Sequence, residues 1–307
     1  MFKTQGVCPP EIHFRLEEGR LTDIRFVGGG CPGNARLVSR LLLGREVAEI
    51  LPLLDGIDCR NDTSCPDQLG RALSQALSGD LAPAASFRRL ADPAPHQRVA
   101  LLGHLAGRLD LLEEIWPAVE AAGVEAVYTL GDLSGPGGAA GPLRKFLAGR
   151  GVVCLCGEQD WALAQGRGAG QPLPAREADA LLQLPQAVSF LLGERIALGF
   201  PGGYLAEMPD FSDFEPFALE INMVSGLADY LQDPSVFPAL EAMLPQFTAG
   251  VVAFAQTGAW GRWDLGGATF LAVGALDSPG GPAWGLLESR DHETIWQIMG
   301  PRGPLEG

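Results

Sequence analysis

Apolar and polar positions divide the chain into two parts with different patterns, and the change lies near residue 98. In the first part, residues 11–27 alternate between apolar and polar on either side of Glu18-Gly19, which predicts a β-hairpin closed by that turn. Apolar residues at helical spacing then predict three helices, over 31–44, 46–54 and 65–77. We therefore expect a small α+β domain, a hairpin plus helices, over residues 1–78.

From residue 98 onward, short apolar strands alternate with amphipathic helices. Strands are predicted at 98–103, 124–132 and 152–157, with helices at 109–123 and 141–151 between them. This alternation is typical of a mostly parallel sheet with right-handed crossovers. More strands follow from about residue 186, together with two acidic helices at about 215–232 and 235–246. We expect an α/β domain over 98–300, joined to the first domain by a linker at 79–97 that is rich in alanine and proline.

The chain is strongly acidic, but the charge is unevenly distributed. Its net charge is −15, and residues 96–307 alone contain 11 Lys/Arg against 25 Asp/Glu, a balance of −14. Because such a surface repels the phosphate backbone of nucleic acids, we expect no DNA or RNA partner. A basic protein would fit the charge of the second part, although nothing in the sequence identifies one.

The lengths of the apolar runs in the sequence predict neither a membrane span nor a secretion signal. The sequence contains no window of 18 uninterrupted apolar residues, so no membrane span is predicted. The first residues, MFKTQGVCPPEIHF, lack the apolar run that is typical of a signal peptide. We expect a cytoplasmic protein.

Cysteines are the main candidates for chemistry in the first part, because four of the six lie within the first 65 residues. In a reducing cytosol such clustering indicates metal binding or redox chemistry rather than a disulfide scaffold. Cys31 and Cys65 precede prolines at the starts of predicted helices, where the helix dipole favours a thiolate. Three interpretations stay open: a structural zinc site, redox-active thiols, or small apolar side chains in a core. The zinc site would use the four thiolates of Cys8, Cys31, Cys59 and Cys65.

The segment around Cys65 has the features of a helix start. Ser64 is a favourable N-cap, and Asp67, three residues later, is placed to return a hydrogen bond as in a capping box. Pro66 suits the first turn because its missing N–H would have no partner there. The sequence thus places a thiol where unpaired N–H groups favour an anion.

The motif Thr63-Ser64-Cys65-Pro66-Asp67 resembles the signature of the TSCPD domain family. Cys59 and the element Gly29-Gly30-Cys31-x-Gly33-Asn34 extend the resemblance over about residues 4–78. That family occurs as small free-standing bacterial proteins and at the C-terminus of adenosylcobalamin-dependent ribonucleotide reductases. The resemblance implies a metal or redox role for the cysteines. It also implies the alternative of a redox accessory to ribonucleotide reduction.

Three polar loops follow the predicted strands of the second part, at 103–110, 131–138 and 157–161. Loops at the carboxyl ends of strands commonly carry ligands in α/β folds. The series of loops resembles the calcineurin-like metallophosphoesterases, whose motifs hold two metal ions and a bridging hydroxide that attacks phosphorus. The resemblance implies an α/β metallophosphoesterase-like sandwich for residues 98–300.

Most ligand positions of that family are changed in this chain. The first aspartate and histidine of the family fall on His104 and Ala106, whereas Asp132 matches the bridging aspartate. The Asn-His-Asp motif becomes Glu158-Gln159-Asp160, so the catalytic histidine is replaced by glutamine, and Gly-His-Thr-His becomes Ala255-Gln256-Thr257-Gly258. We therefore expect a non-hydrolytic binding or scaffold module rather than an enzyme.

One enzymatic alternative stays open for the second part. A divergent phosphoesterase could hold a single divalent metal at His104, Asp132 and Glu158, with Asp160 as a further ligand. His104 and Asp132 would then be its catalytic residues. The glycine-rich loop from Gly131 to Gly135 would offer backbone N–H groups to a bound anion.

Overall fold

The chain forms two compact units, Met1–Ala85 and Ser86–Gly307. The structure is a computed structural model that describes residues 2–27, 31–59, 61–79, 87–135, 140–167, 173–202, 217–227, 231, 233–255 and 258–305. Glycines 28–30, residues 80–86 of the expected linker, and Gln256-Thr257 lie outside the described residues. Within the described ranges, every helix is too short or too polar to cross a membrane.

The first unit is a small antiparallel sheet covered by helices. Its strands are β1 (Phe2–Lys3), β2 (Glu11–Glu17) and β3 (Arg20–Val27), paired in the order β1-β2-β3. Its helices are α1 (Pro32–Leu42), α2 (Val47–Leu54) and α3 (Cys65–Ser78). The expected α+β arrangement is confirmed, and Glu18 and Gly19 form the hairpin turn with φ angles of 49° and 80°.

One face of the sheet and the inner faces of the helices share a core. It contains Ile12, Leu21, Ile24, Val38, Leu42, Val47, Ile50, Leu54, Leu69 and Leu73. Leu69 and Leu73, one turn apart on α3, are fully buried, and each such side chain contributes roughly 1.5–3 kcal/mol relative to an exposed one. This burial fixes the start of α3 against the sheet.

The second unit contains two large sheets among its described residues. One sheet consists of β5 (Arg98–Leu102), β6 (Ala126–Thr129), β7 (Val153–Cys154), β15 (Trp284–Arg290), β16 (Glu293–Gly300) and β17 (Gly303–Pro304), in the order β17-β16-β15-β5-β6-β7. The other consists of β4 (Arg89–His96), β8 (Ala187–Leu192), β9 (Arg195–Phe200), β10 (Val251–Phe254), β11 (Gly261–Leu265) and β12 (Ala268–Ala272), in the order β11-β12-β10-β9-β8-β4. A short hairpin pairs β13 (Asp277–Ser278) with β14 (Gly281–Pro282).

The two sheets pack face to face, which confirms the expected α/β sandwich. Leu101 and Tyr128 of one sheet share a core with Phe190 and Leu271 of the other. The Tyr128 and Phe190 rings stack with centroids 4.7 Å apart. The helices are α4 (Leu109–Ala121), α5 (Gly141–Ala148), α6 (Glu158–Ala164), α7 (Ala175–Leu182), α8 (Ala218–Leu227) and α9 (Phe237–Met243). Side chains of α4 and α5 form a second core with Leu102 and its neighbours on the outer face of the first sheet.

The strand directions differ from the mostly parallel sheet that the sequence predicted. β5, β6 and β7 are parallel, and β10 is parallel to both β9 and β12. The sheets are nevertheless mixed, because β15 joins β5 in the antiparallel sense and β8 pairs antiparallel with β9. The parallel strands still place the loops after β5, β6 and β7 at one edge of the sandwich, which becomes the candidate site.

The second half of the expected linker is a strand rather than a linker. β4 lies within 79–97 and pairs in parallel with β8 at the edge of its sheet. Its register shifts between Ala91 and Pro95. Proline is tolerated at a sheet edge because its missing N–H would have faced away from the neighbouring strand. The alanine and proline content that suggests a linker is therefore compatible with an edge strand.

Candidate functional site

The first candidate site is the start of α3 in the first unit. Ser64 is the N-cap, and its Oγ accepts a hydrogen bond from the Asp67 N–H at 3.1 Å, as the sequence predicts. Asp67 does not complete the capping box in the expected way, because its Oδ2 accepts a bond from the Thr63 hydroxyl at 2.6 Å. Arg71 lies 2.9 Å from the same oxygen. Cys65 is the first residue of this well-anchored helix.

Cys65 lies within electrostatic range of the three other cysteines of this unit, Cys8, Cys31 and Cys59. Cys8, Cys31 and Cys59 are exposed, Cys65 is partly buried, and all four are free thiols. Burial raises the pKa of the Cys65 thiol, and Cys8, Cys59 and Cys31 each raise it further. Across the described parts of the chain, no three metal-ligating side chains are arranged to hold a metal ion. The zinc site at these four residues therefore remains a prediction.

The pKa of Cys65 corrects one expectation. The sequence places Cys65 at a helix N-terminus, which favours a lowered thiol pKa, but the structure raises that pKa. Partial burial and three neighbouring thiols each oppose a negative charge on the sulfur. Together their effect on the pKa of Cys65 is larger than the opposite effect of the helix N-terminus. A bound divalent cation reverses this balance, since a coordinating thiol loses its proton.

The second candidate site is the edge of the sandwich where β5, β6 and β7 end. The loop after β5 lies directly against the loop after β6: the Ala106 N–H donates to the Asp132 carbonyl at 2.8 Å, and the Gly107 N–H donates to the Leu133 carbonyl at 2.9 Å. The geometry brings together His104 and Asp132, from the loops after β5 and β6, and Asp160, from the first turn of α6.

Two glycines allow these loops to approach so closely. A Cβ on Gly131 would lie 2.6 Å from the Gly157 Cα, and one on Gly135 would lie 2.3 Å from the Ala106 carbonyl oxygen. The sequence suggests Gly131 and Gly135 as anion-binding residues. In the structure both glycines serve close backbone packing, and anion binding by them stays a prediction.

His104 and Asp132 form a directly bonded pair. The His104 Nδ1 lies 2.9 Å from the Asp132 Oδ2, and the Asp132 Oδ1 accepts the Gln159 N–H at 3.0 Å. Burial acts to lower the pKa of His104, but the hydrogen bond and charge of Asp132 outweigh it, so the pKa is raised. The His104 Nε2 is buried and forms no hydrogen bond of normal geometry with a described residue, although the Ala255 carbonyl is near enough to raise the pKa as well.

The Asp160 carboxylate accepts backbone hydrogen bonds and does not face solvent. It is fully buried, and its carboxylate accepts the N–H groups of Leu133, Ser134 and Gly157 at 3.0, 2.8 and 3.0 Å. Burial raises the pKa of Asp160 to about 6, while those N–H groups act in the opposite direction and Asp132 adds to the increase. The carboxylate thus ties the loop after β6 to the start of α6.

Glu158, the third expected ligand of a single metal, differs from His104 and Asp132 in its exposure to solvent. It is exposed at the first position of α6, whereas His104 and Asp132 are largely buried. Gly258 approaches His104, since a Cβ placed on it would lie 3.9 Å from the His104 Cδ2. Gln256 and Thr257, which the sequence resemblance aligns with the Gly-His-Thr-His motif, lie outside the described residues.

Three non-glycine residues in the loops after β5 and β6 have strained backbone conformations, which the sequence did not predict. His104, Ala106 and Asp132 have φ angles of 40°, 47° and 52°. Such conformations cost non-glycine residues about 1–3 kcal/mol each and tend to occur at functional sites. A short glycine-rich loop gives no sign of which non-glycine residue takes a positive φ, so only the structure identifies them.

These residues do not fit a two-metal centre. Such a centre needs a bridging carboxylate and several free imidazole or carboxylate ligands. Both oxygens of Asp132 are bonded within the protein, the Nδ1 of His104 is bonded to Asp132, and Asp160 is occupied by backbone N–H groups. Among the described residues of this cluster, the His104 Nε2 and the remaining lone pairs of the carboxylates are left as donors, which is fewer than two ions need.

The comparison with protein families covers the part of the chain that contains the start of α3. Residues 2–77 match the family model of the TSCPD domain. The resemblance expected from the Thr-Ser-Cys-Pro-Asp motif is confirmed for this part of the chain. No curated protein matches the chain.

The rest of the chain is similar to solved structures of metallophosphoesterase-like proteins. A metallophosphoesterase from Sphaerobacter thermophilus is 14% identical, with 66% of this chain and 88% of that chain covered and a TM-score of 0.41. An archaeal phosphodiesterase is 10% identical over 66% of this chain and 99% of its own, with a TM-score of 0.41. Vps29 from Entamoeba histolytica, in complex with Zn2+, is 14% identical over 66% and 91% of the two chains, with a TM-score of 0.38.

Proposed function

We propose that the chain is a two-unit binding protein without hydrolytic activity. Its TSCPD domain would bind a soft metal, zinc by expectation, through Cys8, Cys31, Cys59 and Cys65. Its second unit would serve as a scaffold or ligand-binding module. The observation that carries this proposal is the bonding of Asp132, whose two carboxylate oxygens are both used within the protein.

The electrostatics of the cysteines support the metal half of the proposal. Three thiols and partial burial all oppose a thiolate at Cys65. A divalent cation among these sulfurs would remove that opposition, and four thiolates are a common ligand set for structural zinc. A cytoplasmic location, which would keep these thiols reduced, belongs to the same proposal.

The loop contacts support the non-hydrolytic half. Hydrolysis by two metals needs both ions to clamp the attacking and leaving oxygens. Here Asp160 and Asp132 hold the loops together instead, and the family's catalytic histidine is Gln159. A partner is also part of the proposal: a basic protein would complement the −14 balance of residues 96–307.

Elemental analysis of protein purified without a metal-affinity tag tests the first half. About one zinc per chain is expected in the wild type, with loss in the double variant Cys59→Ser/Cys65→Ser and retention in Cys154→Ser. Cys154 is a matched control because it is a partly buried thiol of the other unit. Zinc that persists in the double variant, or no metal in the wild type, contradicts the metal half.

A phosphodiesterase assay tests the second half. No hydrolysis of bis-p-nitrophenyl phosphate is expected with manganese, zinc or magnesium. Turnover that disappears in Asp132→Ala and survives in the control Asp110→Ala would overturn the non-hydrolytic half. Asp110 is exposed at the start of α4 and bonds to Arg108.

The positive φ angles of His104, Ala106 and Asp132 favour a second candidate, a divergent phosphoesterase. It would use one metal at His104, Asp132 and Glu158, with Asp160 nearby. Metal-dependent turnover with a pH profile that changes in His104→Asn would support it.

The exposure of Cys8, Cys31 and Cys59 favours a third candidate, a redox accessory linked to ribonucleotide reduction. It predicts reversible oxidation among Cys31, Cys59 and Cys65. An unchanged count of free thiols after mild oxidation would contradict it, and the raised pKa of Cys65 already makes that thiol a weaker nucleophile.

A further inference from the structure

The loop that carries Cys8 is anchored by two polar side chains, Gln68 of α3 and Asn61 of the segment before that helix. The Thr4 N–H donates to the Pro10 carbonyl at 2.9 Å and closes the loop on itself. The Gln5 N–H donates to the Gln68 Oε1 at 3.0 Å, and the Asn61 Nδ2 donates to the Gly6 carbonyl at 3.0 Å. Two consecutive residues of this loop are thus bonded to residues more than fifty positions away.

Gln68 is also linked, through Thr63, to the loop that carries Cys59. The Gln68 Nε2 donates to the Thr63 Oγ1 at 2.9 Å, and the Cys59 N–H donates to the Thr63 carbonyl at 3.0 Å. Thr63 and Gln68 are 5% and 2% exposed, so these bonds lie inside the domain. Buried polar groups that are fully bonded hold one arrangement in preference to others.

Close packing reinforces this connection. Gly6 has a φ of 72°, and a Cβ on it would lie 3.0 Å from the Thr63 Cγ2. A larger residue would push the Cys8 loop away from Thr63. Asn61, whose side chain bonds Gly6, also has a positive φ of 55°.

We infer that Gln68 and Asn61 are positioning residues for the thiol cluster. Each bridges the Cys8 loop to the segment that contains Cys59 and Cys65, and so fixes the position of one segment against the other before any metal arrives. This inference rests on the proposed metal function of the TSCPD domain. Residues that orient metal ligands without touching the metal typically change affinity about 10–100-fold when they are removed.

Cobalt(II) titration of the full chain, followed by sulfur-to-cobalt charge-transfer absorption, tests the inference. Gln68→Ala should bind cobalt about 10–100-fold more weakly than the wild type, with a weaker charge-transfer band per bound ion. Asn61→Gly should act in the same direction, and it keeps a residue that tolerates the positive φ on an exposed loop. Gln75→Ala, on the exposed part of α3, is the matched control and should bind as the wild type does.

A metal-free measurement separates this inference from the metal proposal. Diamide accepts two electrons and two protons as two thiols become a disulfide, and mass spectrometry then identifies the pairs formed. Disulfides that join Cys8 to Cys59 or Cys65 should form several-fold more slowly in Gln68→Ala and Asn61→Gly than in Gln75→Ala.

The two arms have distinct outcomes. Failure of the wild type to bind cobalt, with the disulfide rates still lowered in both variants, refutes the metal proposal and keeps the positioning role. Unchanged cobalt affinity and unchanged disulfide rates in folded Asn61→Gly and Gln68→Ala overturn the positioning role. Far-UV circular dichroism of each variant establishes that it is folded, and Asn61→Gly decides the question if Gln68→Ala does not fold.

Discussion

The His104 imidazole and the Asp132 carboxylate bond to each other across two loops, with Nδ1 and Oδ2 2.9 Å apart. The sequence resemblance predicts Asp132 as a bridging metal ligand. Its second oxygen accepts the Gln159 N–H, so the carboxylate joins the loops after β5 and β6 to the first turn of α6. The charge of the pair also makes it sensitive to pH.

Asp132→Asn should lower the pKa of His104. In the wild type, burial is outweighed by the hydrogen bond and charge of Asp132, and the pKa is raised above its ordinary value of 6.5. Without the carboxylate, burial should bring the pKa below 6.5. Titration of the His104 ring protons by NMR measures the change, and Asp277→Asn, which removes a weaker and unbonded charge, should give a smaller decrease.

The same pair should make stability depend on pH. A histidine with a raised folded-state pKa stabilises the fold fully below its unfolded pKa of about 6.5, and this contribution is lost as the pH rises through the folded value. The difference in unfolding free energy between the wild type and His104→Asn should therefore decrease above about pH 6.5. Urea unfolding at pH 6 and pH 9 measures it, and a difference that grows with pH would contradict the pairing.

The stability of the fold should also depend on the ionisation of Asp160, in a lower range of pH. Its pKa is raised to about 6 from an ordinary 3.8. The folded state thus binds the proton more tightly, and stability falls as the pH rises from about 4 to about 6, by up to about 3 kcal/mol. Urea unfolding of the wild type and Asp160→Asn across this range should show the stability advantage of the wild type shrinking. A widening advantage would mean that the three N–H bonds dominate over burial.

Gly157→Ala should severely destabilise the second unit. A Cβ there would lie 2.0 Å from the Asp132 nitrogen and 2.2 Å from the Asp132 Oδ1. The loops would have to separate, at a cost of about 1–3 kcal/mol or more. Gly226→Ala on α8 is the control, because open space surrounds that glycine and alanine favours the helix. A melting temperature of Gly157→Ala equal to that of Gly226→Ala would disprove the close packing.

Ser64→Ala should destabilise the TSCPD domain by about 1 kcal/mol through loss of the N-cap. The Ser64 Oγ accepts the Asp67 N–H, whereas Ser74 is exposed further along the same helix. Ser74→Ala should thus leave the unfolding midpoint nearly unchanged. Chemical denaturation of both variants, followed by circular dichroism, compares them.

The local features of the fold were predictable because each depends on a few adjacent residues. The hairpin turn at Glu18-Gly19 and the Ser64 N-cap follow from side-chain chemistry within one or two turns of chain. The meeting of His104, Asp132 and Asp160 was also predictable. Loops that follow parallel strands share one edge of a sheet, and the resemblance placed each residue in such a loop.

Features that depend on distant partners were not predictable. The strand at Arg89–His96 exists because β8 pairs with it. Its prolines interrupt the alternation of apolar and polar residues by which a strand is predicted. The raised pKa of Cys65 needs burial and three thiols from other segments. The bond between Gln5 and Gln68 joins residues 63 positions apart, and the sequence around either residue gives no indication of it.

The edge position of β4 determines how the second unit can be produced by itself. A fragment that begins at residue 98 removes β4 and leaves the apolar strand β8 with an open row of backbone donors and acceptors, a template for intermolecular pairing and precipitation. It also removes Asp92, whose carboxylate accepts the Tyr128 hydroxyl at 2.7 Å, and strands that hydroxyl inside the sandwich. A fragment that begins at Ser86 keeps both, and we expect it to stay in solution where the shorter fragment precipitates.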